Sequence, residues 1–280
     1  MINFRASFIN KVVALTVACI CAVSMQVTSY ASSGLFTQAI AEAKQVNSDV
    51  EGWIYIPNTN ISYPVLQYDG NCPTHGVPDH CYYLNRNINK QYAPARDNSS
   101  AIFMDYRNNS LDGEHSKNTV IYGHNWTNVE NGYPLRVTSD VDKMFAQLPS
   151  FANKEFAEKT PYFIIENGSE QFVYVIFAAG YVISYDNTSK TGFYYIDPEP
   201  QGEDFNQLVS GMKDRSVFKY DVDVTDSDEI VTLSTCTYKQ TANGNGRFVV
   251  MGRLLRDGEQ IPTTAKFLDN NTISISVTQE

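Results

Sequence analysis

The cysteine at position 236 is the residue of this sequence best placed to act as a nucleophile. It ends the run Ile230-Val-Thr-Leu-Ser-Thr-Cys236, whose β-branched composition is typical of a strand. Side chains alternate between the two faces of a strand, so Ser234 lies on the same face as Cys236. The apolar Val231 and Leu233 then lie on the opposite face, toward the core. A thiol at a strand end beside hydroxyl groups is placed for reaction, and a buried inert cysteine is the alternative.

An arginine and a histidine complete the set of groups that a cysteine nucleophile needs. Arg247 follows two turn-forming Asn-Gly pairs, and antiparallel pairing of the flanking strands would bring it opposite Cys236. Its permanently charged guanidinium could stabilise a thiolate or an oxyanion, although a solvated hairpin arginine fits the pattern equally well. His124 stands just after the apolar strand that ends at Tyr122, where it could transfer protons. Together these residues predict cysteine nucleophilic catalysis.

Cys72 and Cys81 lie nine positions apart in a polar segment that also contains His75 and His80. The four side chains together would form a zinc site, and the two cysteines alone would form a disulfide. We favour a disulfide between Cys72 and Cys81, because four ligands within so short a segment strain the tetrahedral geometry of zinc. We expect neither a metal ion nor a cofactor.

The first 31 residues have the pattern of an export segment. Two basic residues precede the uncharged apolar run 12–23, and Ser29-Tyr-Ala31 resembles a signal-peptide cleavage site. Apolar character also extends loosely over residues 8–27, almost enough to span a bilayer. Residues 1–31 are therefore either a cleaved signal peptide or a membrane anchor, and we place the protein at the extracellular face of the cell membrane.

The composition is that of a globular protein with a strongly negative charge. The 280 residues contain 21 Lys and Arg against 31 Asp and Glu, a net charge of -10. A negative surface repels a phosphate backbone, which excludes nucleic acid as a partner. With 18 Tyr and 15 Phe, the chain is rich in the aromatic residues that favour β structure.

Eight short segments have the composition of strands and are bounded by turn residues. They cover residues 52–56, 61–66, 100–104, 118–122, 162–166, 171–184, 229–236 and 248–255. Helical spacing occurs over 33–50, 141–148, 150–158 and 204–212. The pattern predicts a mainly β domain, a barrel or a sandwich, over residues 32–256. Residues 257–280 would form a C-terminal tail that adds an edge strand or stays loose.

Five ordered motifs resemble those of class B sortases, the cysteine transpeptidases of Gram-positive bacteria. They are Gly52-Trp-Ile-x-Ile with Ile61-x-Tyr-Pro-Val, Ile102-Phe-Met-Asp-Tyr-Arg-Asn108, Val120-Ile-Tyr-Gly-His124-Asn, Val231-Thr-Leu-Ser-Thr-Cys236 and Arg247-x-Val-Val-x-Gly-Arg-Leu254. Five motifs in order are more specific than any one of them. The resemblance implies an eight-stranded sortase-type β-barrel with N-terminal helices and a late crossover helix near residues 204–212.

The resemblance also implies a catalytic site and a reaction. His124, Cys236 and Arg247 match the catalytic residues of the family. The implied contacts with the substrate peptide are Ser234, Thr191, Tyr195 and Ile196. The implied reaction cleaves the C-terminal sorting signal of a surface protein after a threonine, through a thioester on Cys236. The acyl group then passes to an amine of a cell-wall precursor or to a pilin lysine.

Three other interpretations fit the sequence less well. A papain-like hydrolase carries its cysteine before its histidine and at the start of a helix, whereas Cys236 follows His124 and ends a predicted strand. An L,D-transpeptidase would be expected to carry a Ser-x-Gly-Cys-x-Arg-like run, which the residues around Cys236 lack. A non-enzymatic surface module would be expected to end in a sorting signal of its own, unlike Ile273-Ser-Ile-Ser-Val-Thr-Gln-Glu280.

Overall fold

The structure is a computed structural model that describes most of the chain from residue 34 onward. The described residues are 34–73, 76–78, 82–93, 100–125, 143–185, 189–237, 239 and 245–268. The predicted export segment 1–31 and the end of the predicted tail, residues 269–280, lie outside these ranges. Within them, no helix has the length and apolar character needed to cross a bilayer.

Eight strands in the described part of the chain close into a barrel. They are β1 Val50–Tyr55, β2 Ser62–Leu66, β3 Ile102–Met104, β4 Asn118–Tyr122, β5 Tyr162–Glu166, β6 Gln171–Ile183, β7 Ile230–Cys236 and β8 Gly246–Leu254. Their order around the barrel is β1-β2-β3-β4-β7-β8-β6-β5. The pairs β2–β3 and β4–β7 are parallel and the others are antiparallel. The prediction of an eight-stranded barrel is confirmed.

The described helices lie outside the barrel strands. They are α1 Thr37–Val46, α2 Lys154–Lys159 and α3 Glu203–Arg215, with 3-10 turns at Tyr83–Asn85 and Leu148–Ala152. The helices α1 and α3 confirm the predicted N-terminal and late crossover helices. The predicted helix over 141–148 is wrong in its described part, where turns lead into the 3-10 segment. Pro149 has no backbone N–H to donate, so an α-helix cannot continue through it.

Alternation along the strands divides their side chains between the barrel interior and an outer layer. Val231 and Leu233 of β7 lie in the interior core, as predicted. Ile230 of the same strand faces outward, into a layer where Phe205 and Met212 of α3 cover the barrel. Each such buried apolar side chain stabilises the fold by about 1.5–3 kcal/mol. The close-packed core therefore holds the strand ends in fixed positions.

Glu166, at the end of β5, ties helix α1 to the barrel. Its Oε1 accepts hydrogen bonds from the backbone N–H of Phe36 at 2.9 Å and from the hydroxyl of Thr37 at 3.4 Å. A carboxylate at this place pairs with the unsatisfied N–H groups of a helix start and with the helix dipole. Gly34 lies so close that a Cβ there would collide with the Glu166 carboxylate. The ring of Phe36 also stacks on Trp53, with centroids 5.6 Å apart.

The described part of the predicted tail packs against the barrel domain. The backbone N–H of Leu268 donates to the carbonyl of Lys219 at 2.8 Å. The ring of Phe267 lies 5.2 Å from that of Phe218. Packing therefore continues past residue 256 and adds an edge segment to the fold.

Candidate active site

Cys236 and Arg247 form the last residue pair of the β7–β8 ladder. The strands run antiparallel, as the Asn-Gly pairs between them predicted, and the N–H of Thr237 donates to the carbonyl of Gly246 at 3.0 Å. Cys236 carries a free, partly exposed thiol, so it is neither locked in a disulfide nor sealed in the core. Arg247 donates from Nη1 to the carbonyl of Gly246 at 2.8 Å. A guanidinium and a thiol thus sit on adjacent strands at one end of the barrel.

His124 reaches the same end of the barrel through β4. This strand pairs in parallel with β7, and its last pair joins Tyr122 to Ser234. His124 lies two residues past Tyr122, and Cys236 lies two residues past Ser234. Two hydrogen bonds join the residues after β4 to the end of β7. The N–H of Gly123 donates to the carbonyl of Ser234 at 3.2 Å, and Asn125 Nδ2 donates to the carbonyl of Cys236 at 3.0 Å.

The imidazole of His124 is buried and oriented by a backbone carbonyl. Nε2 lies 2.7 Å from the carbonyl oxygen of Leu84. Because a carbonyl can only accept, Nε2 carries the proton in this bond. Burial lowers the pKa of His124 below its ordinary value of 6.5, and the Leu84 carbonyl partly opposes that shift by stabilising the protonated ring.

Leu84 belongs to the 3-10 turn Tyr83–Asn85, which is anchored by its first residue. The Tyr83 hydroxyl donates to Asp49 Oδ2 at 2.6 Å and accepts from Asn47 Nδ2 at 2.7 Å. Burial and the neighbouring Asp49 raise the pKa of Tyr83 well above its ordinary value. The turn is therefore a fixed support for the histidine ring.

Ser234 and Tyr195, two of the predicted substrate contacts, meet beside the catalytic candidates. Their hydroxyl oxygens are 2.9 Å apart, and both residues are buried. Burial raises the pKa of Tyr195, while the hydrogen bond to Ser234 and the charge of Arg247 act in the opposite direction. The two hydroxyls thus form a buried polar pair within electrostatic reach of Arg247.

Thr191 and Ile196, the other two predicted contacts, lie on the segment 189–197 that follows β6. Phe193 joins this segment to the end of β6, because its N–H donates to the carbonyl of Ile183 at 2.8 Å. Thr191 is exposed, with its hydroxyl 2.7 Å from that of Ser189. Ile196 is half-buried and packs against the α3 layer. The structure therefore places these two contacts on an irregular segment rather than on a strand of the barrel.

An ion pair between the buried Asp105 and the partly exposed Arg107 lies between this segment and β4. Asp105 accepts from Arg107 Nε at 2.8 Å and Nη2 at 2.9 Å, and from the Tyr122 hydroxyl at 2.7 Å. Burial alone would raise the pKa of Asp105, but these hydrogen bonds outweigh it and lower that pKa. Asp105 is therefore a stable buried carboxylate.

Comparison with known proteins assigns this arrangement to a family. A model of the sortase domain matches residues 54–255. The chain belongs to the sortase family. It is similar to Sortase B of Listeria monocytogenes, 34% identical over 226 residues that cover 80% of this chain and 76% of the relative. Sortase B of Staphylococcus aureus is 30% identical over 215 residues, which cover 76% of this chain and 73% of that one.

A solved structure agrees with these relatives. The X-ray structure of Clostridium perfringens sortase B has a TM-score of 0.59 and 28% identity, and the match covers 77% of this chain and 99% of that one. The predicted resemblance to class B sortases is thereby confirmed. This sortase is a transpeptidase of the cell surface that acts on sorting signals and cell-wall precursors. The papain-like, L,D-transpeptidase and non-enzymatic interpretations are not favoured.

Only one cysteine of the predicted disulfide, Cys72, lies among the described residues. Cys72 is buried and disulfide-bonded, in a tight turn where its N–H donates to the carbonyl of Val77 at 2.8 Å. Its predicted partner Cys81 lies outside the described residues, as do His75 and His80, so the pairing stays a prediction. Among the described residues, no group of three or more His, Cys, Asp or Glu is arranged to hold a metal ion.

Sequence reasoning missed the residues that support the site. Leu84 acts through its backbone carbonyl, which no side-chain pattern reveals. Asn125 follows His124 directly, and Asp105 and Arg107 lie within a motif that carried the resemblance, but no role followed from their positions. Two opposite charges two residues apart at the end of a predicted strand were the available signal.

Proposed function

We propose that Cys236, His124 and Arg247 carry out the transpeptidation of this sortase. The single observation that carries the proposal is the register of three neighbouring strands. The antiparallel β7–β8 ladder pairs Cys236 with Arg247. The last pair of the parallel β4–β7 ladder joins Tyr122 to Ser234, each two residues before His124 and Cys236. Cys236 ends β7, Arg247 begins β8 beside it, and His124 follows the end of β4, the neighbour of β7 on its other side. These residues supply the nucleophile, the cation and the proton-transfer group that thioester chemistry needs.

In the first half of the reaction, the thiolate of Cys236 attacks the carbonyl carbon of a threonine in the sorting signal. A C–S bond forms, and the electron pair of the C=O bond moves to oxygen, where Arg247 stabilises the negative charge. The C–N bond then breaks, and protonated His124 gives its proton to the leaving amine. The products are a thioester on Cys236 and the C-terminal remainder of the sorting signal.

In the second half, the amine of the acceptor attacks the thioester carbonyl. Neutral His124 takes the proton that the attacking nitrogen loses. The C–S bond breaks as the intermediate collapses, which returns the thiolate of Cys236 and leaves a new amide bond. The acceptor is an amine of a cell-wall precursor or a pilin lysine.

Ser234, Tyr195, Thr191 and Ile196 are proposed to bind the sorting peptide. The buried Tyr195–Ser234 hydroxyl pair supports a role at the threonine end, since it lies near the reacting groups. The exposed Thr191 supports a contact farther along the peptide. Residues 1–31 are proposed to hold the enzyme at the membrane or to direct its export, which places the site outside the cell.

Mass spectrometry of the enzyme mixed with sorting peptides tests the proposal. The wild-type chain is expected to gain the mass of the acyl fragment that ends in threonine, attached to Cys236. The Cys236→Ala variant is expected to show neither that adduct nor the amide product when amines are added. Transpeptidation that survives Cys236→Ala would overturn the proposal. An adduct released by a pilin lysine rather than by a cell-wall amine would identify the acceptor.

A further inference from the structure

We propose that Asp105 and Arg107 are positioning residues that hold the donor-peptide segment, residues 189–197, against the barrel. The inference rests on the proposed function, in which this segment carries Thr191, Tyr195 and Ile196. It assigns a role to the ion pair that the reaction itself does not use. It also makes the affinity for the sorting peptide depend on two residues that need not touch the peptide.

The ion pair is built as a rigid support. Asp105 has no exposed surface, and both of its oxygens are engaged by the fork of Arg107. Two parallel charge-assisted hydrogen bonds fix the plane of the guanidinium. The hydrogen bonds that Arg107 donates to Asp105 raise the pKa of Arg107 above its ordinary value, so the cation persists throughout the working pH range.

The same guanidinium reaches across to the donor-peptide segment. Arg107 Nη2 donates to the carbonyl of Ile196 at 2.8 Å, and Nη1 lies 3.4 Å from the Tyr194 hydroxyl. Asn118, fully buried on β4, donates from Nδ2 to the carbonyls of Tyr195 and Asp197 at 3.0 and 2.8 Å. Three consecutive carbonyls of the segment are therefore held by side chains of the barrel.

These contacts decide the path of the chain because residues 194–197 have no helix or strand of their own. A segment without regular hydrogen bonding keeps one conformation only where such side-chain contacts hold it. Pre-ordering the segment removes part of the entropy cost of binding a peptide. Loss of the Arg107 anchor should therefore weaken peptide binding more than it slows the chemical step.

Asp105 also connects the donor-peptide segment to strand β4. Its Oδ2 accepts from the hydroxyl of Tyr122, which ends β4 two residues before His124. Arg107 Nη2 donates to the same oxygen. The ion pair thus links the end of β4 to the segment that receives the peptide.

The Arg107→Gln variant tests the inference through steady-state kinetics. We expect the KM for the sorting peptide to rise about tenfold, as loss of a charge-assisted anchor predicts. The kcat is expected to stay within about twofold, since the catalytic groups remain in place. The KM for the amine acceptor should not change.

Arg256→Gln is the matched control for Arg107→Gln. Arg256 donates two hydrogen bonds to the buried carboxylate of Asp228 in the same bidentate geometry, from Nε at 2.7 Å and from Nη2 at 2.6 Å. It follows the end of β8 opposite to Arg247, and its described hydrogen bonds go to Asp223, Asp228 and Glu259 rather than to the donor-peptide segment. We expect this control to lower stability without changing the KM for the sorting peptide. Equal effects of the two variants on that KM would overturn the inference.

Hydrogen exchange of the free enzyme provides a readout that needs no substrate. Arg107→Gln leaves the buried carboxylate of Asp105 without its ion-pair partner, which could prevent folding. The double variant Asp105→Asn/Arg107→Gln removes both charges and avoids this problem. Faster exchange over 189–197 in either folded variant, but not in Arg256→Gln, supports the inference. Unchanged exchange there would overturn it, even if the wild-type enzyme forms its thioester. A wild-type enzyme without a thioester, but with the expected exchange pattern, would overturn only the proposed function.

Discussion

The carbonyl oxygen of Leu84 lies 2.7 Å from Nε2 of His124 and accepts its hydrogen bond. This contact keeps one proton on Nε2 and fixes the orientation of the ring. In the proposed mechanism, proton exchange with the substrate therefore takes place at Nδ1. The support for the ring comes from the turn Tyr83–Asn85, which lies forty residues from His124 in the sequence.

The activity is expected to have a bell-shaped pH dependence. Acylation needs a thiolate together with an imidazolium, so kcat/KM falls both where Cys236 and His124 are protonated and where both are deprotonated. Because burial lowers the pKa of His124, the acid limb should lie below pH 6.5. Initial rates from about pH 5 to pH 10 measure this, and a flat profile would contradict the thiol–imidazole pair.

The stability of the wild-type chain should decrease on mild acidification because of His124. Its pKa in the folded state is lower than 6.5, so the unfolded state binds more protons in the interval between the two values. The free energy of unfolding therefore decreases as pH falls through 6.5 toward the pKa of His124 in the folded state. Denaturant unfolding of His124→Gln and of the wild-type chain at several pH values isolates the contribution of His124 to the free energy of unfolding. Identical pH slopes for the two chains would show that His124 is not buried as described.

Replacing Arg247 should impair chemistry far more than folding. We expect Arg247→Gln to lower kcat/KM by about 100- to 1000-fold, the usual effect of removing an oxyanion-stabilising group. Arg247→Lys keeps the charge but loses the planar fork, so it should recover only part of this loss. Peptide transpeptidation assays with Arg256→Gln as the control measure the difference. Near-normal activity in Arg247→Gln would remove Arg247 from the mechanism.

Glu166→Ala should release helix α1 from the barrel. The variant loses the acceptor for the Phe36 N–H, and we expect the free energy of unfolding to fall by about 1–3 kcal/mol. Glu166→Gln keeps a carbonyl acceptor and should be milder. The Glu166 contact lies at the start of α1, whereas the turn that supports His124 is held by Asn47 and Asp49 beyond the end of α1, so kcat should stay near wild type at low temperature. A loss of kcat without a loss of stability would contradict this separation.

The disulfide of Cys72 should contribute to stability rather than to catalysis. If the partner is Cys81, the closed loop is short, and Cys72→Ala should cost about 2–3 kcal/mol of unfolding free energy. Thermal unfolding with and without reductant measures this, and peptide mapping of the unreduced chain identifies the partner. A bond from Cys72 to any other cysteine would refute the predicted pairing.

Local patterns were sufficient to predict the strands and two of the helices. Short β-branched segments between turn residues give a strong signal, because period-two alternation and turn chemistry act over a few residues. The helix predicted over 141–148 is wrong in its described part, where residues 144–148 are all buried instead of being divided between a buried and an exposed helix face. Pro149 was the local signal against a helix there.

The sequence by itself determined the chemistry available to this protein: a thiol at the end of a strand, a histidine at the end of another and an arginine after a turn. It also determined the alternation that turns Val231 and Leu233 inward and leaves Ser234 and Cys236 outward. Only the tertiary structure decided that the strands of His124 and Cys236 are parallel neighbours, since that pairing joins segments more than a hundred residues apart. It also decided the supports that Leu84 and Arg107 provide, because the contacts of the Leu84 carbonyl with His124 and of Arg107 with the Ile196 carbonyl join residues far apart in the sequence.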